Sequence, residues 1–373
     1  MDYATAQPPL ITPDFLNALL PSAMGLDSAL TINPHYERLT GQPAFTANIW
    51  RIRLTYDPPQ PHAPASLIAK LPTAQTKLHE RATILQPGAR ENWFYRVAAP
   101  RSPVLTPRCY YQAIDEVTGQ SVLLLEDIVA PTGGQLAGAT LAQARIALDS
   151  LARLHAAWQR AADREEIQEL LRLITSKWHE EQNLVGELYD AAWPQFLQQA
   201  LIPIPEKVRQ FGEAIVGNIT AVDALIDRAP KTLVHGDYRL ENIHFGAQNG
   251  QAVCWIIDWE DVFFGSGIVD VAWFLGGCLP VALGEHEMSL LRHYYQTLLD
   301  EGVAGYSWEQ CLEDYRCGMC SGFIQGVLSA TLGKDADEGE RQLAQVVAQR
   351  FMATAERLQL AQLLNSFMAS HHE

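Results

Sequence analysis

No stretch of this chain approaches the eighteen or so uninterrupted apolar residues of a membrane-spanning helix, so an integral membrane protein is not expected. The opening segment, Met1 to Pro9, has neither the basic start nor the apolar stretch of a secretory signal. Six cysteines are scattered without framework spacing, which points to a reduced, cytoplasmic protein. The closest pair, in Cys317-Gly318-Met319-Cys320, has no second Cys or His pair at metal-ligand spacing and no thioredoxin-like strand before it. Buried structural cysteines in a small-residue helix over 312–328 are expected instead. Basic residues are also scarce: 27 Lys and Arg stand against 43 Asp and Glu, for a net charge of −16. With no Lys/Arg cluster, a nucleic-acid partner is excluded. The acid excess is the ordinary solubilising balance of a cytosolic protein, and it would also attract a cationic acceptor.

What the chain does have lies past its middle. After the apolar Leu233-Val234 comes His235-Gly236-Asp237-Tyr238-Arg239-Leu240-Glu241-Asn242, and sixteen residues past Asn242 comes Asp258 in Ile257-Asp258-Trp259-Glu260. An Asp and an Asn five apart on a loop, followed by an Asp at a strand end, suit phosphoryl transfer. One carboxylate takes the acceptor hydroxyl, while an amide oxygen and a second carboxylate hold magnesium. Asn249-Gly250 between two apolar runs signals a tight hairpin. That hairpin would return Asp258 to the end where Asn242 sits. A surface turn with Asp237 as a mere helix cap is the plainer alternative, and the rest of the chain weighs against it.

These motifs resemble the aminoglycoside phosphotransferase and choline kinase superfamily, in particular its ecdysteroid-kinase-like branch of small-molecule kinases. His235-Gly236-Asp237 with Asn242 resembles the catalytic loop of that family, and Ile257-Asp258-Trp259 its metal-binding strand end. The stretch from Gly265 through Asp270 to Leu275, the helix around Leu151 to Ala156 and the segment Leu123 to Ile128 are similar to further family signatures. The resemblance implies an α+β, bilobal protein-kinase-like fold: an amino-terminal antiparallel sheet lobe with a helix over 1–127, and a larger, mainly helical lobe over 128–373. It implies ATP and Mg2+ as cofactors, with His235 and Asp237 as catalytic residues and Asn242 and Asp258 as metal ligands. It also implies that the backbone around Glu126 and Ile128 reads the adenine edge through main-chain donors and acceptors.

In the first lobe, Ile11 to Leu20 reads as a short amphipathic helix outside the core. Tyr36 to Tyr56 reads as two strands around Thr40-Gly41-Gln42-Pro43, with Trp50, Ile52 and Leu54 alternating against Arg51 and Arg53. With only Gly41, the turn departs from a full glycine-rich phosphate loop. Ser66 to Leu71 is the next strand, and Lys70 within it needs a partner for its ammonium. In a kinase that partner is the nucleotide phosphates, with a helical Glu holding the Lys. Glu91 is the candidate, because aromatic Phe94 and Tyr95 at i+3 and i+4 turn its face toward the sheet; Glu80 competes. Cys109 to Asp115 and Gln120 to Glu126 form a hairpin around Val117 to Gly119.

From Thr140 the pattern takes the 3.6 period, with Leu141, Ala144, Leu148, Leu151, Leu154 and His155 on one face, so His155 is expected as a core histidine. About eighty largely helical residues separate it from His235, an added subdomain over about 160–230. Only eleven residues lie between Asp258 and Asp270, too few for a peptide-binding platform, which favours a small-molecule hydroxyl acceptor. Asp270 is expected to brace the catalytic loop by accepting backbone N–H bonds. Trp158, Trp178, Trp193 and Trp273 could line an aromatic acceptor wall or simply fill the core. The reading is an ATP-dependent phosphotransferase. The alternatives are a nucleotide-binding pseudokinase scaffold and, more weakly, a metal-dependent hydrolase.

Overall fold

The computed structural model describes residues 10–27, 29–39, 47–72, 86–115, 120–159, 161, 164–175, 178–199, 203–331 and 337–371. The turn at 40–43, Glu80 and the turn at 117–119 lie outside the described residues. The chain divides into two compact units: Met1–Arg101 with Thr106–Val129, and Ser102–Leu105 with Ala130–Glu373. The first is built on an antiparallel sheet and the second is mainly helical, so the α+β class stands.

Helix α1 (Pro13–Met24) opens the first unit. Thr12 Oγ1 accepts the Phe15 N–H at 3.1 Å, Pro13 supplies the first helical φ, and Gly25 at φ +68° ends the helix. The expectation that this helix stays outside the core is corrected. Ile11, Leu16 and Leu20 are fully buried with Leu30, Ile32 and Ile52. Asn17 clips the helix to the sheet by accepting from Ile32 N at 2.7 Å and donating to Ile32 O at 2.8 Å.

Strands β1 (Thr31–Arg38), β2 (Ala47–Asp57), β3 (Ser66–Pro72), β4 (Cys109–Ile114) and β5 (Ser121–Glu126) make one five-stranded sheet in the order β1-β2-β3-β5-β4. Every neighbouring pair is antiparallel. The alternation read from the sequence holds: Trp50, Ile52 and Leu54 are buried, while Arg51 pairs with Asp127 and Arg53 with Glu37. Lys70 lies mid-sheet, opposite Ile49 on one side and Leu123 on the other. Helix α2 (Pro87–Trp93) runs on into a π-helical turn, Phe94–Ala98.

In the second unit, α3 (Leu141–Trp158) starts from a reciprocal capping box between Thr140 and Gln143. It buries Ala144, Leu148, Leu151, Leu154 and His155 on one face. Helices α4 (Glu165–Thr175), α5 (Trp178–Gln199), α6 (Glu206–Ile215) and α7 (Ile219–Ile226) form the inserted region. The helical stretch expected over Lys207 to Ile226 breaks at 216–218, where Gly217 adopts φ +69°. Strand β6 (Lys231–Val234) pairs with β9 (Phe263–Ser266), and β7 (Ile243–Gln248) with β8 (Gln251–Ile256). Helices α8 (Ile268–Cys278), α9 (Glu287–Asp300), α10 (Trp308–Thr331), α11 (Glu338–Arg357) and α12 (Leu360–His371) complete the unit. Cys317 and Cys320 are buried in α10 and all six thiols are free. Burial pushes the Cys317 thiol up to about 12, far from the thiolate a metal or redox role requires. No helix among the described residues is long and apolar enough to cross a membrane.

Candidate active site

The first unit contains a buried ion pair of its own. Lys70 on β3 and Glu91 on α2 meet with Nζ and Oε2 2.7 Å apart, their side chains 11% and 3% exposed. Neither charge would persist there alone, since a desolvated charge is costly without its partner. Past β5, Asp127 is anchored by Arg51, whose Nε donates at 2.7 Å, and by Ser66, whose hydroxyl donates at 2.6 Å. Glu126 is tied at both ends: its carboxylate accepts from Arg108 N at 3.1 Å, and its own N–H donates to Arg108 O at 2.8 Å. Ile128, which follows, is partly buried. The segment from Glu126 to Ile128 therefore leaves a fixed strand end.

In the second unit, β6 leads into the candidate catalytic loop. Gly236 sits at φ +89°, and a Cβ there would lie 2.4 Å from the Asp261 carbonyl oxygen, so both conformation and space demand glycine. The carboxylate of Asp270, at the start of α8, accepts the N–H groups of His235 at 2.7 Å and Gly236 at 3.0 Å. The brace expected of Asp270 is therefore present. His155 lies behind it, with Nε2 3.4 Å from Asp270 Oδ2 and Nδ1 2.8 Å from the Tyr294 hydroxyl. It is a core histidine, as its place on the helix face implied.

Asp270→Ala is expected to cost roughly 3 kcal/mol of stability, because two buried N–H groups lose their acceptor. Denaturant unfolding measures this. A loss below roughly 1 kcal/mol would mean the loop finds its own acceptors.

His235, placed by its motif among the catalytic residues, has a different task. Its ring is fully buried. Nδ1 accepts the Asp237 N–H at 3.2 Å, and Nε2 lies 2.9 Å from the Ile257 carbonyl, which can only accept. The network therefore assigns the Nε2–H tautomer. Both nitrogens are committed to backbone, and the ring also packs on Trp259, with centroids 4.6 Å apart. His235 ties this loop to the end of β8 through both ring nitrogens.

The hairpin does what its turn promised. Asn249 and Gly250 at the tip adopt φ of 53° and 78°, Ile243 pairs with Ile256, and Ile257 N donates to Asn242 O at 3.0 Å. Asn242 and Asp258 thus leave the hairpin at the same end. The Asn242 amide nitrogen donates to Asp237 O at 2.9 Å and to Asp237 Oδ2 at 3.0 Å. Since both partners are acceptors, the NH2 end must face Asp237, which leaves the amide oxygen for another ligand. Asp258 takes the left-handed conformation at φ +65°, a costly state for a residue with a side chain and one that concentrates at functional sites.

Three polar residues at this site were not singled out from the sequence for the roles they take. Arg239 places Nε 2.9 Å from Asp237 Oδ2 and Nη1 2.9 Å from Glu241 Oε2. Burial works against its charge, but Asp237, Glu241 and Asp258 together hold its pKa above the ordinary value. Trp273 on α8 donates its indole N–H to Asp237 Oδ1 at 3.2 Å. Gln135, buried in the loop before α3, accepts from Leu240 N at 3.0 Å and donates to Gly277 O at 3.1 Å, pinning the loop to α8. A basic residue two places after a candidate catalytic Asp was a usable signal for Arg239. No sequence spacing gives away the other two, which reach across 36 and 105 positions.

Residues 42–303 match the sequence profile of the ecdysteroid kinase-like family, well over half of the chain. The chain belongs to the ecdysteroid kinase-like family. Its fold is that of a Plasmodium vivax ethanolamine kinase, with a TM-score of 0.51 at 10% identity, covering 94% of this chain and 89% of the other. The gentamicin complex of APH(2")-IIa is similar at a TM-score of 0.50 and 15% identity, covering 91% of this chain and 98% of the other. Both establish the protein-kinase-like fold. No curated protein sequence matches the chain.

Proposed function

We propose that this ecdysteroid kinase-like protein is an ATP-dependent phosphotransferase that moves the γ-phosphoryl group to a hydroxyl of a small molecule. One observation carries the reading: a single hairpin sets Asn242 and Asp258 at the same end, with the Asn242 amide directed at Asp237 so that its oxygen is available. An amide oxygen and a carboxylate are the hard oxygen donors that Mg2+ prefers, so the residues fit that ion. Bound there, Mg2+ would neutralise the charge that develops on the phosphates.

Each residue then has a task. Asp237 orients the acceptor hydroxyl and receives its proton. Asn242 and Asp258 would hold the metal. Lys70, aligned by Glu91, meets the phosphates. The backbone from Glu126 to Ile128 offers the adenine a donor and an acceptor. His235 and Asp270 keep the loop in shape. Phosphoryl transfer through a loose transition state needs positioning and charge neutralisation more than a strong base, and this set provides both. Eleven residues between Asp258 and Asp270, four of them in β9, leave no peptide platform, in keeping with a small acceptor.

The test is a product assay with labelled ATP and Mg2+ against amino alcohols, amino sugars, sterols and hydroxyacyl compounds. Transfer to one of them is expected. Nucleotide binding without transfer to any would make the protein a scaffold, and hydrolysis of a substrate without nucleotide would make it a hydrolase. Lys70→Ala is expected to weaken Mg-ATP binding at least about tenfold. It should also cost stability, since it removes the ion-pair partner of a buried carboxylate. Adding Glu91→Gln should restore the stability but not the binding. Recovery of both would show that Lys70 touches no phosphate.

A further inference from the structure

The hydrogen bonds of Asp237 indicate where an acceptor can approach. Oδ2 takes the Asn242 amide at 3.0 Å and lies 2.9 Å from Arg239 Nε, while Oδ1 takes, among the described residues, only the Trp273 indole N–H, at 3.2 Å. A carboxylate offers two lone-pair positions on each oxygen. One position on each oxygen is engaged by a hydrogen bond, and the Arg239 guanidinium crowds the Oδ2 side, so the open approach is on Oδ1, beside the indole.

Trp273 is held there by a built support. Its ring stacks on Phe351 with centroids 4.9 Å apart and planes 22° from parallel, and Phe351 is 1% exposed. Phe351 fits a notch made of glycines on two helices. A Cβ on Gly276, Gly322 or Gly326 would come within 2.7, 2.5 or 2.8 Å of its ring, and one on Gly277 would come within 2.8 Å of the Trp273 ring. Core packing does not explain where the indole nitrogen goes. Trp158 and Trp193 are equally large and more buried, and each Nε1–H has no hydrogen-bond partner among the described residues. Trp273 is only partly buried and gives its N–H to the carboxylate.

We infer that Trp273 is a positioning residue for Asp237, and that the acceptor hydroxyl is received on Oδ1 beside the indole. The carbon skeleton of the acceptor then lies against the exposed part of the Trp273 ring. In that arrangement the hydroxyl proton passes to Oδ1 as the acceptor oxygen bonds to the γ-phosphorus. The bond from phosphorus to the β,γ-bridging oxygen breaks, and its electron pair leaves with ADP. The inference rests on the phosphotransferase reading of Asp237.

Two measurements decide it. In protein labelled with 15N at its tryptophan indoles, the Trp273 resonance is identified by its loss in Trp273→Phe. It is expected to move in Asp237→Ala while those of Trp158 and Trp193 stay in place; an unmoved resonance overturns the contact. Replacing Trp273 with 3-benzothienylalanine keeps the ring shape but puts sulfur where the N–H was. With Mg-ATP and the best alcohol from the product assay, kcat is expected to fall about tenfold, the effect of losing one hydrogen bond to a charged group. The KM for Mg-ATP and the KM for the alcohol should both hold, whereas Trp273→Ala should raise the latter. An unchanged kcat in the sulfur isostere overturns the positioning role even if Trp273→Ala is impaired. Wild-type protein that phosphorylates no alcohol would remove the phosphotransferase reading and this role together. An active enzyme with an indifferent indole removes only Trp273.

Discussion

Asp237→Asn is expected to lower turnover by about a hundredfold or more, with Mg-ATP affinity nearly unchanged. The substitution keeps the shape of the side chain, but all three neighbours of the carboxylate are donors: the Asn242 amide, Arg239 and the Trp273 indole. An asparagine must turn its own NH2 toward at least one of them. The cheaper choice faces Trp273, because Oδ2 takes the Asn242 amide and lies beside the Arg239 charge, while Oδ1 meets only the indole among the described residues. That choice puts a donor where the acceptor hydroxyl would have given its proton, so both orientation and proton acceptance are lost. Asn242 keeps its contact to an oxygen, and its own amide oxygen stays available. Single-turnover transfer and calorimetric titration with Mg-ATP measure the two halves of this expectation. Full turnover in Asp237→Asn would end the kinase mechanism. Equal loss of binding and turnover would move Asp237 into the metal shell.

The legible part of the site is the part made by local sequence. Gly236, Asn249 and Gly250 announce the turns they make, because positive φ is a property of the residue itself. The apolar runs on either side of Asn249-Gly250 pair in a register set by a two-residue turn, so the placement of Asn242 and Asp258 at one end of the hairpin follows from chain order alone. Asp270 was legible for another reason: a carboxylate at the start of an apolar run must find buried donors, and the backbone just after β6 supplies them.

The misread parts depend on contacts between distant positions. Ile11, Leu16 and Leu20 give a short helix an apolar face, but only the sheet that receives it distinguishes a surface helix from a core one. His235 shares its motif with the candidate catalytic Asp237, and the motif cannot show that both ring nitrogens are consumed by Asp237 N and Ile257 O. Among the four tryptophans considered for an acceptor wall, Trp158 and Trp193 turn out to be core and Trp273 reaches the carboxylate. The side chain of Trp178 lies outside the described residues. What separates Trp273 from the others is the glycine notch holding Phe351 behind it, which spans residues 276 to 351. No local pattern encodes it.

Asp258→Ala is expected to abolish magnesium-dependent nucleotide binding, because the cation loses its anionic protein ligand. Alanine alone leaves an ambiguity, since Asp258 holds φ +65° and a changed backbone there would also disturb ligation. Asp tolerates the left-handed region better than Ala does, so Asp258→Ala combines a lost ligand with added strain of about 1 kcal/mol. Asp258→Gly separates the two. Glycine takes that conformation without steric cost, and its stability is expected to stay within about 1 kcal/mol of wild type while the carboxylate is gone. Asp258→Asn keeps an oxygen and tolerates the same φ, so it should bind Mg-ATP weakly rather than not at all. The expected order of Mg-ATP affinity is therefore wild type, then Asn, with Gly and Ala together at the bottom although their stabilities differ. Titration with ATP at fixed magnesium, repeated with EDTA, reads the metal-dependent part. If Asp258→Gly were folded and bound Mg-ATP as tightly as wild type, the strained carboxylate would not be a metal ligand, and the cation would have to rest on other residues.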